Sequence, residues 1–252
     1  MGAEIRESLT DEARRLLAAA REREVPLRLL GGVAIQLLLA ERMDARFQRE
    51  SADLDFLTTR RSGRAVEELL ASEGWEPERQ FNALNGARRL LFEDPPSGHK
   101  IDVFVESFEM CHALPLAERL TVREDTLPAA ELAMTKLQVV SLNAKDRNDL
   151  YALLHALEVA EHDDDDAINA ARIAELTSGD WGLHHTFELN FARLRDGLAE
   201  VGLSEREQAT VRARIDALHG AIEQAPKSRG WRMRARIGER KLWYEEPEEV
   251  DR

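Results

Sequence analysis

The chain has a single cysteine, Cys111, among its 252 residues. One thiol excludes an intrachain disulfide and a zinc site built from several cysteines. No apolar run approaches the roughly 20 residues that a membrane-spanning helix needs. The first residues include Glu4, Arg6 and Glu7, so they do not form the apolar segment of a secretory signal. We therefore expect a cytoplasmic protein with no membrane partner.

Positive charge is also in short supply. The chain has 48 acidic residues against 35 Lys and Arg, which gives a net charge of -13. Nucleic acid is held by clustered Lys and Arg, so binding over the whole surface is not expected, although a local basic patch could still bind it. The hydrophobic fraction of 43% and the length are sufficient for one large domain or two smaller ones with a real core.

The most informative stretch begins with a short apolar run, Val25 to Leu30, which predicts a buried strand. Gly31 and Gly32 follow, and the apolar segment Val33 to Ala40 predicts a helix. Glycines at a strand-to-helix turn let backbone N–H groups come close to a bound group. The N-terminus of a helix favours an anion, so this turn predicts a phosphate site.

The next predicted strand, Asp53 to Thr58, carries carboxylates at alternate positions. Asp53 and Asp55 then share one face of the strand, while Leu54 and Phe56 lie on the other. Their Cα atoms are expected to be roughly 6.6 Å apart, at about 3.3 Å per residue. This spacing lets two carboxylates converge on one or two Mg²⁺ ions about 3.5–4 Å apart. Taken alone, the same pattern is also typical of a solvated acidic strand end.

A third carboxylate interrupts an apolar strand predicted over His99 to Glu106. An Asp such as Asp102 inside a β-branched run is costly to bury unless it is paired or binds a metal. The pattern therefore predicts a cation beside Asp102, with the Asp53–Asp55 strand as its setting.

These motifs together resemble the DNA-polymerase-β-like nucleotidyltransferases, and most of all the AbiEii-type toxin nucleotidyltransferases and their small antibiotic-modifying relatives. A later region, Ala133 to Gln138 and Lys145 to Tyr151, is similar to the helical Lys…(Arg/Lys)-Asp-x-x-Asp element of that group. The resemblance spans roughly Leu27 to Leu154. Ser141 stands where the group often has an Arg, so the resemblance does not extend to the full phosphate clamp.

The resemblance implies a metal-dependent nucleotidyltransferase that moves a nucleoside monophosphate from a nucleoside triphosphate to a hydroxyl of RNA or protein. Asp53, Asp55 and Asp102 are expected to bind Mg²⁺ or Mn²⁺, and to be catalytic together with Lys136. The residues expected to bind the nucleotide are Gly31, Gly32, Arg49, Ser51 and Asp146. A role as a toxin with a cognate antitoxin is part of this interpretation. Two alternatives stay open: transfer to an antibiotic hydroxyl, and a non-catalytic binding protein that keeps the fold.

The predicted fold is α+β, a small mixed sheet with helices followed by a helical region. We expect a nucleotidyltransferase core over residues 1–126 and a helical domain over 127–252, with both acidic strands inside the sheet. An Asn85-Gly86 turn predicts a hairpin of Glu78 to Ala83 and Ala87 to Phe92. Helices are predicted over Glu4 to Arg23, Ser62 to Glu73, Asp146 to Glu158, Ala167 to Leu176, Thr186 to Leu198 and Ser204 to Glu223.

Two further features concern the C-terminal half. Arg and apolar residues alternate over Lys227 to Ile237, which predicts a strand or extended arm, either docked on the domain or contacting nucleic acid with Trp231 stacking on a base. His155, His184 and His185 are interpreted as core or surface histidines that have no carboxylate partners for a metal site.

Overall fold

The computed structural model describes residues 8–246. The chain forms two compact units. The first comprises the residues up to Ala40, Gln48–Glu109 and Ala113–Leu127, and the second comprises Glu41–Phe47, Met110–His112 and the residues from Pro128 onward. The predicted domain limits, 1–126 and 127–252, stay a prediction. The first residues of the helix predicted over Glu4 to Arg23 lie outside the described part of the chain.

The first unit contains a five-stranded mixed sheet with helices, as predicted for an α+β core. Its elements in chain order are α1 (Leu9–Glu22), β1 (Leu27–Leu30), α2 (Gly31–Leu38), β2 (Asp53–Thr58), α3 (Gly63–Ser72), β3 (Glu76–Pro77), α4 (Arg79–Asn85), β4 (Arg89–Asp94), β5 (His99–Val105), β6 (Ser107–Glu109) and β7 (Ala113–Pro115). The sheet order is β1-β2-β5-β4-β3, and β6 pairs separately with β7. Both acidic strands, β2 and β5, are interior, which confirms that prediction.

The interior position of these strands follows from their apolar faces. Leu54 and Phe56 of β2, and Ile101 and Val103 of β5, are fully buried. Since side chains alternate along a strand, burying this face leaves the carboxylates of both strands on the opposite, half-buried face. Leu16 and Leu17 of α1 lie in the same core.

The hairpin predicted around Asn85-Gly86 is wrong, because Arg79–Asn85 forms the helix α4. Gly86 has a φ of -59°, so the pair does not form the turn with positive φ that a two-residue hairpin requires. Asn82 stabilises the helical arrangement, since its side chain accepts from the Leu91 N–H at 2.7 Å and donates to the Leu91 carbonyl at 3.1 Å. One side chain thus supplies contacts to β4 that a hairpin partner strand would have made.

The second unit is mainly helical. Its elements are α5 (Ala129–Leu137), α6 (Ala144–Ala156), β8 (Glu158–Ala160), β9 (Ala167–Asn169), α7 (Ala170–Gly179), α8 (Trp181–Gly197), α9 (Glu205–Gln224) and α10 (Arg229–Ile237). Helix α9 begins with a capping box, in which Ser204 and Glu207 bond each other's backbone. Phe187, Phe191 and Leu194 of α8 are fully buried in its core. Within the described residues, no helix is both long and apolar enough to cross a membrane.

The strand or extended arm predicted over Lys227 to Ile237 is also wrong, because Arg229–Ile237 forms α10. Ser228 caps this helix by accepting from the Trp231 N–H at 3.0 Å. The period-two alternation of Arg and apolar residues is overridden by the cap and by packing against α8. Trp231 is half-buried, whereas Arg232 and Arg236 are exposed.

Candidate active site

The three predicted carboxylates lie on neighbouring strands of the sheet. β2 and β5 run parallel, and Asp55 lies directly opposite Asp102 in their register. Asp53 precedes Asp55 by two residues on the same face of β2, and all three side chains are half-buried. Like charges so close together repel unless cations or hydrogen bonds offset them. The arrangement therefore favours binding of a cation on this face.

Gly31 brings the start of α2 against one of these carboxylates. Its φ is 76°, in the left-handed region that side chains disfavour, and a Cβ built on it would overlap the Asp55 carboxylate. Glycine is therefore required twice at this position, once for its backbone conformation and once for space. The residue before α2, Leu30, offers no capping side chain, so the first N–H groups of the helix are not capped from that position.

Gly32 lets the Arg49 guanidinium come equally close to the start of α2. A Cβ at Gly32 would overlap the Arg49 guanidinium, and it would lie 3.2 Å from the Ser51 Oγ. Arg49 donates to the Glu50 carbonyl at 3.2 Å, and Gln36 of α2 donates to the Arg49 carbonyl at 2.6 Å. The predicted nucleotide-binding residues Gly31, Gly32, Arg49 and Ser51 thus lie around the first turn of α2.

Arg89 is a residue of this face that the sequence analysis missed. It lies on β4, next to β5, and its guanidinium forms a two-pronged contact with Asp102, in which Nε lies 2.7 Å from Oδ1 and Nη2 contacts Oδ2. The same guanidinium lies 5.2 Å from the centre of the Phe104 ring. Two-pronged Arg–carboxylate contacts are strong and directional, so Arg89 orients Asp102. The sequence predicts a cation beside Asp102, but only the register between β4 and β5 identifies Arg89 as that cation.

The other two predicted site residues, Lys136 and Asp146, lie in the second unit. The Lys136 ammonium contacts Asp146 Oδ1 at 2.9 Å and Asp149 Oδ2 at 3.1 Å. Asn143 caps α6 by accepting from the Asp146 N–H at 2.9 Å, and its side-chain amide donates to Asp146 Oδ2 at 2.8 Å. Asp146 and Asp149 therefore share one face of α6, where Lys136 contacts both.

The interpretation of the histidines as lacking carboxylate partners is wrong. His155 lies beside Asp44 and Glu207, and His184 lies beside Glu188 and Glu223. Glu207 and Glu223 come from α9, far along the chain, so spacing alone does not reveal them. Glu188, four residues after His184 on α8, could have been found from the sequence as a neighbour on the same helix face.

The cluster of Asp44, His155 and Glu207 already contains a cation. The Arg46 guanidinium lies 2.7 Å from Asp44 and 2.6 Å from Glu207. These contacts hold the pKa of both carboxyl groups well below their usual range. Arg46 therefore satisfies this cluster.

Comparison with known proteins identifies the class. Residues 3–177 match the model of a family described as "Uncharacterised nucleotidyltransferase". The chain therefore belongs to this nucleotidyltransferase family. No curated protein matches it. The narrower resemblance to AbiEii-type toxins stays a prediction.

Two solved structures are similar at low identity. The solution structure of the antibiotic-resistance factor ANT(2'')-Ia shares 14% identity with a TM-score of 0.38, covering 85% of this chain and 94% of that chain. The STING-associated c-di-GMP synthase CdnE from Capnocytophaga granulosa shares 10% identity with a TM-score of 0.27, covering 85% and 79%.

Proposed function

We propose that this chain transfers a nucleoside monophosphate from a nucleoside triphosphate to an acceptor hydroxyl, using Mg²⁺ or Mn²⁺ bound by Asp53, Asp55 and Asp102. One observation carries the proposal: Asp55 and Asp102 face each other on two interior parallel strands, at the glycine turn that begins α2. Carboxylates beside an anion-binding helix N-terminus are what a metal-bound triphosphate needs.

The donor set fits the proposed metal. Mg²⁺ and Mn²⁺ prefer oxygen ligands, and three carboxylates on one face provide them. The Asp55 carboxylate also fills the space that the absent side chain of Gly31 leaves, so its position is fixed by the turn. When bound, the ion would neutralise negative charge on the phosphates and on the leaving pyrophosphate.

The start of α2 would bind the phosphates. Gly31 and Gly32 carry no side chains that would keep a phosphate from the first N–H groups of α2, and the helix dipole favours negative charge there. Arg49 lies against Gly32, so its guanidinium is close to the same helix N-terminus. Arg is well suited to phosphate because its planar fork donates two parallel hydrogen bonds.

The reaction forms a bond between the acceptor oxygen and the α-phosphorus, and it breaks the bond between that phosphorus and the pyrophosphate oxygen. The acceptor hydroxyl must lose its proton, and we assign that proton to a carboxylate of this face, with Asp102 as the base. Arg89 would hold the Asp102 carboxylate in a fixed orientation, because a two-pronged Arg–carboxylate contact is directional.

Lys136 and Asp146 enter the proposal through the family resemblance. The paired Asp146 and Asp149 keep the Lys136 side chain in a fixed position. We propose that Lys136 contributes positive charge toward phosphate.

We further propose RNA or protein as the acceptor, and a toxin role with a cognate antitoxin, from the resemblance to AbiEii-type proteins. An antibiotic hydroxyl is the rival acceptor. These alternatives differ in which molecule acquires the nucleotide.

The test is incubation of the full chain with each labelled nucleoside triphosphate and Mg²⁺, first with cell extract, then with separated RNA, protein and small-molecule fractions, and with added antibiotics that carry hydroxyl groups. We expect label to pass to RNA or protein. Label on the small-molecule fraction alone would replace the macromolecular acceptor, and no label on any fraction in either metal would contradict transfer.

Asp53→Asn and Asp55→Asn are expected to abolish labelling while the fold is kept. Asn has nearly the size and shape of Asp and keeps one acceptor oxygen, so the fold should be kept. Glu93→Gln is the matched control, because Glu93 is an exposed carboxylate on β4 of the same sheet. Full labelling by both Asn variants would contradict the metal assignment.

A further inference from the structure

His184 of α8 is a buried imidazole whose hydrogen bonds are not made. Its exposed fraction is 3%, and neither ring nitrogen has a hydrogen-bond partner within residues 8–246. Trp231 of α10 covers the ring edge-on, with ring centres 5.2 Å apart. Buried polar groups are nearly always hydrogen-bonded, because leaving them without a partner is costly. The ring therefore keeps coordinating capacity that the fold does not use.

Two carboxylates stand beside this ring. Glu188, one helical turn later on α8, brings Oε2 to 3.4 Å from Nδ1, and Glu223 of α9 brings Oε1 to 3.0 Å from Nε2. Both contacts are close enough for attraction but lack the directions of hydrogen bonds. One ring nitrogen and one oxygen of each carboxylate all lie within 4.8 Å of one another. Ligands of a common ion surround it rather than point at each other, so this geometry favours a shared cation.

Two further basic side chains lie near this cluster, His185 and Lys227. His185, the neighbouring residue, also lies 3.7 Å from Glu188. Lys227 donates to the Ile222 carbonyl and lies 5.4 Å from the centre of the Trp231 ring.

We propose that His184, Glu188 and Glu223 form a binding site for a divalent transition metal, with Zn²⁺ as the preferred ion. One imidazole nitrogen and two carboxylate oxygens are the ligand types that zinc accepts. The carboxylate side chains are 38% and 49% exposed, so water can complete the coordination. Because the ligands come from α8 and α9, the bound ion joins the two helices and stabilises the second unit.

Zinc titration of the metal-stripped full chain against a chromophoric chelator tests the site. The parent protein carries Asp53→Asn and Asp55→Asn, so that the carboxylates of β2 do not contribute and the result does not depend on transferase activity. We expect Glu188→Gln and Glu223→Gln each to weaken zinc binding about tenfold or more. Zinc should also raise the melting temperature of the parent more than that of either variant.

Two further variants separate this site from adventitious binding. Lys227→Met should strengthen zinc binding, because it removes a positive charge near the ligands; a merely structural His184 predicts no such gain. His155→Gln changes the cluster of Asp44, His155 and Glu207, where Arg46 already contacts both carboxylates, and it should leave zinc binding unchanged. Equal zinc affinity in the parent, the Glu188→Gln and the Glu223→Gln proteins would overturn the proposal, as would a loss confined to His155→Gln.

Discussion

At the scale of single residues, the site depends on an absent side chain. Gly31 has a φ of 76°, and a Cβ there would overlap the Asp55 carboxylate. We predict that Gly31→Ala lowers the free energy of unfolding by more than about 1–2 kcal/mol, because the left-handed conformation alone costs that much for a residue with a side chain. It should also weaken nucleotide binding, since Asp55 must move. Urea denaturation and nucleotide titration measure the two effects.

Gly63→Ala is the control for this change. Gly63 begins α3, and a Cβ there has nothing within 4 Å. Alanine at a compatible helical position is expected to stabilise by about 0.4–1 kcal/mol. If Gly31→Ala and Gly63→Ala had the same effect on stability and nucleotide binding, the close approach of Asp55 to Gly31 would contribute to neither.

The carboxylates could be predicted from the sequence, but their cation partner could not. Asp53 and Asp55 follow from the alternation of a single strand, which is local information. The contact between Arg89 and Asp102 depends on the register between β4 and β5, and a shift of one residue would move Arg89 to the other face. That register is fixed by packing across the sheet.

At the scale of elements, long segments with clear apolar faces were predictable and short amphipathic ones were not. The helices α8 and α9 have enough buried positions to fix their period. Two misread elements, α4 and α10, have seven and nine residues, and their structure is decided by Asn82 and by the Ser228 cap. A short segment supplies too few turns for periodicity to distinguish helix from strand.

One face of α10 is held in place by contacts of Arg234 and Trp231, and these contacts can be tested by mutation. Arg234 donates to the carbonyls of Gly238 and Lys241, each at 2.6 Å, and lies 4.6 Å from the centre of the Trp181 ring. We expect Arg234→Ala and Trp231→Ala each to lower the free energy of unfolding by about 1–2 kcal/mol. Arg232→Ala, at an exposed position of the same helix, should change it by no more than about 0.5 kcal/mol.

Equal losses for Arg234→Ala and Arg232→Ala in thermal or urea unfolding would contradict docking through one face. RNA binding that weakens in Arg232→Ala and becomes less salt-dependent would instead favour the nucleic-acid contact predicted for this segment.

At the scale of the whole molecule, pH dependence should reflect the buried histidines. Burial lowers the pKa of His112 and of His184 below the ordinary 6.5. Below about pH 6.5 the unfolded chain binds more protons than the folded chain. The free energy of unfolding therefore decreases as the pH is lowered from 6.5 toward the lower pKa values of the folded state. Each proton contributes a slope of up to about 1.4 kcal/mol per pH unit. Urea denaturation of the metal-free protein at several pH values measures it.

His112→Gln should make this slope shallower, because one titrating group is removed. Its ring Nε2 lies 2.8 Å from the Thr186 Oγ1, and an amide can keep a hydrogen bond there. His162→Gln, at an exposed position, is the control for the His-to-Gln substitution itself. The carboxylates Asp44 and Glu207, whose pKa values are lowered by Arg46, contribute only at more acidic pH. A slope that His112→Gln does not alter would contradict the assignment to His112.

Ligand binding should also appear in global stability. We predict that Mg²⁺ and a nucleoside triphosphate together raise the melting temperature by more than the sum of their separate effects. Each ligand stabilises the folded state by mass action, and a triphosphate held through the metal couples the two. Asp53→Asn should reduce the joint effect to the sum. A strictly additive response of the unaltered chain in a thermal melt would argue against a shared site.

The parallel pairing of β2 with β5 also determines when the acidic face can form during synthesis of the chain. Asp55 and its register partner Asp102 are separated in sequence by α3, β3, α4 and β4, so the first two carboxylates leave the ribosome well before the third. A parallel pair between distant segments must close a long loop before its contacts form, and such pairings form slowly. We therefore expect the acidic face to form late, after the local helices. A chain that ends before β5 carries Asp53 and Asp55 but lacks both Asp102 and the strand that pairs with β2.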